Sequence, residues 1–538
     1  MIAPTGYLCL ILHAHLPFVR HPEYDDFLEE NWLYEAITDT YLPLLEVCHR
    51  LDADGVRGRF TMTLTPSLLA MFADPLLRTR YVRYLTRRIA LATAEERRLR
   101  HDPQFGPLAA YYRDRFTRIH EAFVHRYRQD LTAAFAGLQE RGRIEIITCG
   151  ATHGFLPLLA PVPSAVRAQL RVAVDHYRRT FGRSPRGIWL PECAYTPGLD
   201  AMLRDEDLRF FILESPGLLY GRPSPRFGVH APVYCPSGVA AFGRDAESSK
   251  QVWSAEEGYP GDPAYREYYR DAGFDLDADM LRGHLAGDGT RVNTGLKYYR
   301  ITGPTDQKAP YDPARASAKA AEHAAHFAEQ RRRQVARLAG EMDRPPLIVA
   351  PYDAELFGHW WFEGPQWVEN LLRRLHQDGD LHAITPDDYL ARHPTNQVVE
   401  PAASSWGQNG SYEVWLNGAN DWIYRHLHHA SRRMDALRAR ETAGIERRAV
   451  AQALRELLLA QASDWAFIMK TGTMVPYAVK RTTDHLTRFT TLYHQVTEQR
   501  LDARGLAEIE DRDTCFTAAD LDRSLRPATA ASHQEPAG

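Results

Sequence analysis

Seven short runs of the chain are apolar at nearly every position: "YLCLIL" (7–12), "RFTMTL" (59–64), "RIEIIT" (143–148), "GIWL" (187–190), "RFFIL" (209–213), "PLIVA" (346–350) and "LHAI" (381–384). Hydrophobicity that is continuous rather than alternating predicts strands covered on both faces, as in a parallel sheet. Long helical stretches separate most of the runs, for example "ARASAKAAEHAAHFAEQRRRQVARLAGEM" (314–342). Strand, helix, strand at this spacing predicts an α/β fold with parallel strands, open or closed into a barrel. Residues 215–300 break the pattern with Gly, Pro, Tyr and charges, which predicts an insertion with its own small fold. After about residue 402 the pattern is helical, and "RPATAASHQEPAG" at the end has the composition of a disordered tail. The expected division is a barrel-type unit over 1–200 and 278–402, a small inserted domain over 201–277, a helical domain over 403–525 and a tail over 526–538.

Polar residues follow strand after strand. The first run leads into "HAHLPF", the second into "TPSLL", the third into "CGATHGFLP", the fourth into "PECAY" and the sixth into "PYDAELFGHWWFEG". In a barrel of the triosephosphate-isomerase type, the active site is built at that end of the strands. Two carboxylates stand out there, Glu192 in "WLPECAY" and Asp353 in "APYDAELFGHWW". A carboxylate directly after a buried strand either pairs structurally or is held there for chemistry. Two of them at one barrel mouth are the minimum machinery of a glycosidase. In a retaining enzyme, one is the nucleophile and the other is acid and then base, about 5–5.5 Å away.

His13 and His15 alternate along a strand and share a face. With His153 they form either a metal site, a set of hydrogen-bonding groups for a polar substrate, or satisfied core residues. Trp360 and Trp361 follow Asp353. Trp406, Trp415 and Trp422 lie in "SSWGQNGSYEVWLNGANDW", among Gly, Asn and Ser. Such a setting suits aromatic platforms for the apolar faces of sugar rings better than it suits a core.

Charge and cysteine usage narrow the function classes. The 65 Lys and Arg against 69 Asp and Glu leave a net charge of −4, which excludes an electrostatic footprint for nucleic acid or an anionic membrane. Six scattered cysteines include no Cys-x-x-Cys, which argues against a cysteine zinc site and fits a reduced, cytoplasmic setting. No stretch has the length of a transmembrane helix, and the first apolar run is too short and lacks the basic start of a secretory signal. At 538 residues, two or three domains are expected.

These residues together resemble glycoside hydrolase family 57, and within it the 1,4-α-glucan branching enzymes. "HAHLPF" with His13 and His15 is similar to the first family motif, and "CGATHGFLPLL" with His153 to the second. "WLPECAY" is similar to the third, which carries the nucleophile, here Glu192. "PYDAELFGHWWFEGP" is similar to the fourth, which carries the acid/base, here Asp353. "SSWGQNGSYEVWLNGANDW" is similar to the fifth, with Trp406 and Trp415 as substrate contacts. "SDWAFIMKTGT" adds Asp464 from the helical domain. The resemblance covers roughly residues 6–525. It implies a distorted (β/α)7 barrel with a small inserted domain and a C-terminal α-helical domain. It also implies a metal-independent retaining mechanism without cofactor, acting on an α-1,4-glucan, in a monomer or homodimer. Trp360 is an expected substrate contact as well.

The chain departs from the family pattern in two places. Ser215 and Pro216 replace a small residue and a His after the fifth strand. The stretch 222–238 is short where branching enzymes carry a loop whose Tyr closes over the site, and Tyr234 is the nearest counterpart. The alternatives are an α-amylase or 4-α-glucanotransferase with the same machinery, a metal-dependent carbohydrate deacetylase built on His13, His15 and His153, and a glucan-binding protein with a dead site.

Overall fold

The computed structural model describes residues 4–254, 257–286 and 289–526. The expected tail, beyond Arg526, lies outside the described residues. Among the described residues nine strands form: β1 (Gly6–Ala14), β2 (Phe60–Leu64), β3 (Ile144–Ile147), β4 (Gly187–Trp189), β5 (Phe210–Leu213), β6 (Val233–Tyr234), β7 (Ala240–Gly243), β8 (Leu347–Asp353) and β9 (Leu381–Ala383). Every one of the seven apolar runs contains a strand. One sheet runs β3-β2-β1-β8 with β9 beside the start of β1, and the other runs β4-β5-β7-β6. All pairings are parallel except β6 with β7. A parallel bridge between Thr148 and Ile188 joins the sheets at β3 and β4. At the other edge, the Asp245 amide just past β7 donates to the Val349 carbonyl of β8 (2.8 Å).

The continuous apolar pattern follows from two different coverings. On β1, Leu8, Leu10 and Leu12 pack into the large cluster beneath the helices. Tyr7, Cys9 and Ile11 face a second cluster that gathers Trp189, Ile212, Phe242 and Val349 from four other strands. Burying both faces of each strand removes the polar alternation seen in sheets with one wet face.

β5 and β7 correct the expectation of a separate small fold over 201–277. Both belong to the parallel sheet, β5 against β4 and β7 against β5. The run "VAAFG" (239–243) is short and sits amid Gly and Pro, so it did not read as a strand, yet Ala240, Ala241 and Phe242 are wholly buried.

Six helices form the described C-terminal region: Trp422–Arg438, Gly444–Ala460, Ser463–Thr471, Val475–Thr497, Ala503–Arg512 and Ala518–Leu525. The second is buried along Ala449–Ala460, so it lies at the centre of the helices. Its buried Glu456 is satisfied by His485 Nδ1 (2.7 Å) and Gln452 Nε2 (2.7 Å). Beyond it the chain docks on the loop after β3. Gln169 Nε2 donates to Gln461 Oε1 (2.9 Å), and the Ser463 amide donates to the His153 carbonyl (3.0 Å). This docking carries the start of the helix Ser463–Thr471 to the sheet. No helix among the described residues is long and apolar enough to cross a membrane.

Candidate active site

The register of the sheet brings chemistry to one end of it. Ile147, Thr63, His13 and Asp353 are successive in-register partners across β3, β2, β1 and β8. His13 therefore stands beside Asp353 at the ends of two adjacent strands. Glu192 follows β4 in a left-handed backbone conformation (φ 62°, ψ 23°), and His153 has φ 60°. Such conformations cost a non-glycine residue about 1–3 kcal/mol and persist only where the surroundings dictate them. At Glu192 the surroundings do so. Its carbonyl accepts from the Trp406 amide (2.9 Å), and the Cys193 amide closes a turn on Leu190 (2.7 Å).

Each oxygen of the Glu192 carboxylate has its own donor. Ser463 Oγ donates to Oε1 (2.7 Å) and Trp406 Nε1 donates to Oε2 (2.7 Å). Ser463 Oγ also lies 2.8 Å from His153 Nδ1, whose other ring nitrogen lies 3.0 Å from His13 Nε2. The pKa of Glu192 is raised to about 7: burial and, after it, Asp464 push it up, against the hydrogen bonds from Ser463 and Trp406, which favour the ionised form.

Asp353 has the opposite setting. Its side chain accepts no hydrogen bond among the described residues. Burial, then the carboxyl groups of Glu355 and Glu192, push its pKa well above the aspartate range against the pull of Arg244. Burial is thus the largest effect on Asp353, and two neighbouring carboxyls, Glu355 and Glu192, add to it. Environments that hold one carboxyl ready to ionise and the other protonated assign base and acid roles.

His15 couples the two halves of the cavity. Its Nε2 lies 3.1 Å from both oxygens of Asp464, and its amide donates to Glu355 Oε1 (3.2 Å). Burial, the largest single effect, disfavours the imidazolium, but Asp464, Glu192 and Glu355 together outweigh it and raise the His15 pKa. His13 and His153 are held neutral, mainly by burial. Glu355 also accepts from the Tyr41 hydroxyl, and burial lifts its pKa to about 7.

His15, His153 and Asp464 lie close enough to share a metal ion, as do His13, Cys149 and His153. The ring geometry fits a hydrogen-bonded stack better. His15 and His153 lie face to face at 3.8 Å and 12°, and His13 lies on Trp189 at 4.5 Å and 11°. A metal is bound in the plane of an imidazole, and parallel stacked rings do not aim those lone pairs at a common point.

A cavity of about 570 Å³ joins His13, His15, His153, Glu192, Asp353, Trp360, Trp406, Trp415 and Asp464. Nine of the ten site residues expected from the sequence thus meet. Tyr234 does not: it pairs with Ala240 at the start of β7, the opposite end of the sheet, and its hydroxyl donates to the Pro394 carbonyl (3.0 Å).

Trp415 needs a correction of role. Only 1 % of it is exposed, and its ring lies 4.8 Å from Phe155, so it is a wall and not an open platform. A Cβ on Gly407 would meet Trp415 Cζ3 at 2.7 Å, so the chain behind Trp406 is pressed directly against this ring. Trp415→Ala should therefore lower stability by about 3–5 kcal/mol, as for a core aromatic; chemical denaturation against the native protein measures it. Trp406 likewise serves first as a donor to Glu192. Trp360, 43 % exposed, retains the character of a platform.

Sequence reasoning missed Ser463, Glu355, Arg244 and Trp253, all at or beside the cavity. Ser463 and Glu355 adjoin residues already singled out, in "SDWAF" and "YDAEL". Arg244 follows the unrecognised strand β7 and pairs with Glu214 after β5 (2.9 Å).

The chain is similar to known proteins over nearly its whole length. The family model described as glycosyl hydrolase family 57 matches residues 9–402. The chain belongs to that family. A second model, the C-terminal domain of 1,4-α-glucan branching enzymes, matches residues 426–523. The family 57 match therefore contains both carboxylates, and the second contains Ser463 and Asp464. Among solved structures, the α-amylase AmyC of Thermotoga maritima is 43 % identical with a TM-score of 0.89, covering 95 % of this chain and 97 % of that one. The family 57-type branching enzyme of Pyrococcus horikoshii is 31 % identical with a TM-score of 0.86, covering 99 % and 98 %. The curated 1,4-α-glucan branching enzyme TK1436 of Thermococcus kodakarensis is 33 % identical over 95 % of this chain and 77 % of its own length.

In this family 57 chain, Ser463 tunes the nucleophile candidate. Its hydrogen bond lowers the pKa of Glu192, so Ser463→Ala raises it. A reaction that needs Glu192 ionised then loses rate on the acidic side. The acidic limb of kcat/KM should move to higher pH, with activity at pH 6 falling more than activity at pH 8. An unmoved limb would remove this role.

Proposed function

We propose that the protein is a 1,4-α-glucan branching enzyme working by retaining double displacement. Glu192, ionised, attacks the anomeric carbon of a glucosyl unit while Asp353 gives its proton to the departing glycosidic oxygen. A glycosyl ester on Glu192 results. Asp353, now a carboxylate, then takes the proton of the 6-hydroxyl of an acceptor glucan as that oxygen displaces Glu192, leaving an α-1,6 branch. His13, His15, His153, Trp360, Trp406 and Asp464 line the position of the reacting sugar.

The observation that carries this reading is that the segment matching branching-enzyme C-terminal domains supplies Ser463 directly to Glu192. For the fold, we propose a distorted (β/α)7 barrel of β1, β2, β3, β4, β5, β7 and β8. The bridge at Thr148 and the bond from Asp245 to Val349 would join its two sheets into one wall. The division proposed is a barrel unit to about residue 402, with an insertion between β7 and β8, followed by the helical domain. A cytoplasmic setting agrees with six cysteines that are all free and buried.

Hydrolysis is the second reading, favoured by the 43 % identity to an α-amylase and by the position of Tyr234 away from the cavity. Without a closing tyrosine from that segment, water competes with the acceptor for the glycosyl ester. The expected behaviour is branching with appreciable hydrolysis. Incubation with amylose, followed by proton NMR for α-1,6 linkages and a reducing-end assay, measures it. The expected ratio of branches to new reducing ends is not far above one. A ratio of zero leaves a hydrolase or a 4-α-glucanotransferase, and activity lost on chelation would favour the metal-dependent alternative.

A further inference from the structure

A second cavity, of about 830 Å³, shares Trp253 and Trp360 with the catalytic cavity and continues along the segment 266–270. Trp253 and Trp360 are 45 % and 43 % exposed, with ring centroids 6.0 Å apart. Tyr269, farther along, is 85 % exposed. A lone exposed aromatic is ordinary, but aromatics in sequence along one groove mark a binding surface.

The exposed ring of Tyr269 is carried on a pinned backbone. Glu267 Oε1 accepts from the Tyr269 amide (3.1 Å), and Glu267 Oε2 pairs with Lys308 (3.0 Å). Next door, Lys297 Nζ donates to the Tyr268 carbonyl (2.6 Å) and pairs with buried Asp271 (3.3 Å). The Tyr268 hydroxyl lies 3.2 Å from His359 Nε2. A flat ring on a fixed backbone has few torsions to lose and binds at low entropic cost.

The charges of the groove select its ligand. Lys308 is neutralised by Glu267, and Arg270 by Asp275 (2.8 Å). The remaining charged residue of the lining, Arg266, is buried over the Phe362 ring (3.6 Å), so the solvent-facing charges are the paired ones, and they offer donors and acceptors side by side for hydroxyl groups. Aromatic faces with paired polar groups fit a neutral polyhydroxyl chain.

We infer that this groove, with Tyr269 as its outer platform, binds the part of an α-1,4-glucan that runs on beyond the catalytic cavity. The inference rests on the α-glucan reading above and adds a remote subsite to it. The cavity at Glu192, about 570 Å³, holds only a short stretch of a polymer, and the chain must leave past its rim. Trp253 and Trp360 form the rim that the two cavities share.

The test uses the full chain carrying Glu192→Gln, so that glucan is bound without turnover. Dissociation constants are measured for amylose and for maltotetraose, with and without Tyr269→Ala. The expected result is an amylose constant at least five-fold higher in the Tyr269→Ala protein, a maltotetraose constant changed less than two-fold, and recovery of amylose binding with Tyr269→Phe. Unchanged amylose binding, or equal weakening of both ligands, would overturn the groove while leaving the α-glucan reading intact. If the Glu192→Gln parent binds neither ligand and the native protein leaves amylose unaltered, the α-glucan reading itself fails, and the groove with it.

Discussion

Glu192→Gln will remove turnover by several orders of magnitude and, at pH 8, raise the melting temperature. The loss of rate follows from the loss of the covalent step, because an amide does not form the glycosyl ester. The stability gain follows from linkage. The folded-state pKa of Glu192 is raised to about 7, so the folded protein favours the protonated carboxyl. That contribution is complete below the ordinary glutamate value and is lost as pH rises through about 7. Above it the fold carries an ionised, nearly buried carboxylate at a cost on the order of 3 kcal/mol. Glutamine removes the charge and still satisfies both partners. Its Oε1 accepts from Trp406, and its amide donates to Ser463, whose hydroxyl turns toward His153. The gain should therefore shrink from pH 8 to pH 5. Thermal unfolding at both pH values, with amylose turnover, checks the pair of effects. A folded variant with near-normal turnover would refute the role, and a gain of equal size at both pH values would refute its electrostatic origin.

Asp353→Ala will lose amylose turnover but retain turnover of a glycosyl donor whose leaving group departs without a proton. General acid catalysis contributes about 10²–10⁴-fold, and only substrates that need the proton forfeit it. Azide should partly restore the variant, since a small anion reaches the glycosyl ester without a base to activate it. The alkaline limb of the native pH profile belongs to Asp353: as pH rises through its raised pKa the proton is lost and the rate falls. That limb should disappear in the variant with the activated donor. Equal losses on both classes of donor would contradict the assignment.

The apolar runs were legible because strands buried on both faces leave no polar alternation to misread. Glu192 and Asp353 were legible because each directly follows or closes such a strand. β7 was not: three small or apolar residues amid Gly and Pro carry too little signal, and what makes them a strand is the neighbouring β5. Arg244 was lost with it. Ser463 was hidden because nothing in "QASDWAF" shows that this turn docks on the loop of His153, a contact spanning 310 residues. Trp415 was misread because Gly, Asn and Ser around it suggested an open surface. They form a tight turn that presses on the ring, and composition does not distinguish the two. Tyr234 was singled out only as the nearest tyrosine in the short stretch 222–238, and its pairing with Ala240 places it elsewhere.

The central claim is that Glu192 forms a covalent bond to the sugar. A fluorinated glucosyl fluoride forms the glycosyl ester with a retaining enzyme but leaves it slowly, and peptide mass analysis then locates the label. Cleavage after Arg186 and Arg204 releases the peptide 187–204, "GIWLPECAYTPGLDAMLR", with Glu192 as its only glutamate. A single glucosyl adduct on Glu192 is the predicted result. An adduct on another residue, or turnover without any adduct and with inverted anomeric configuration, would contradict it.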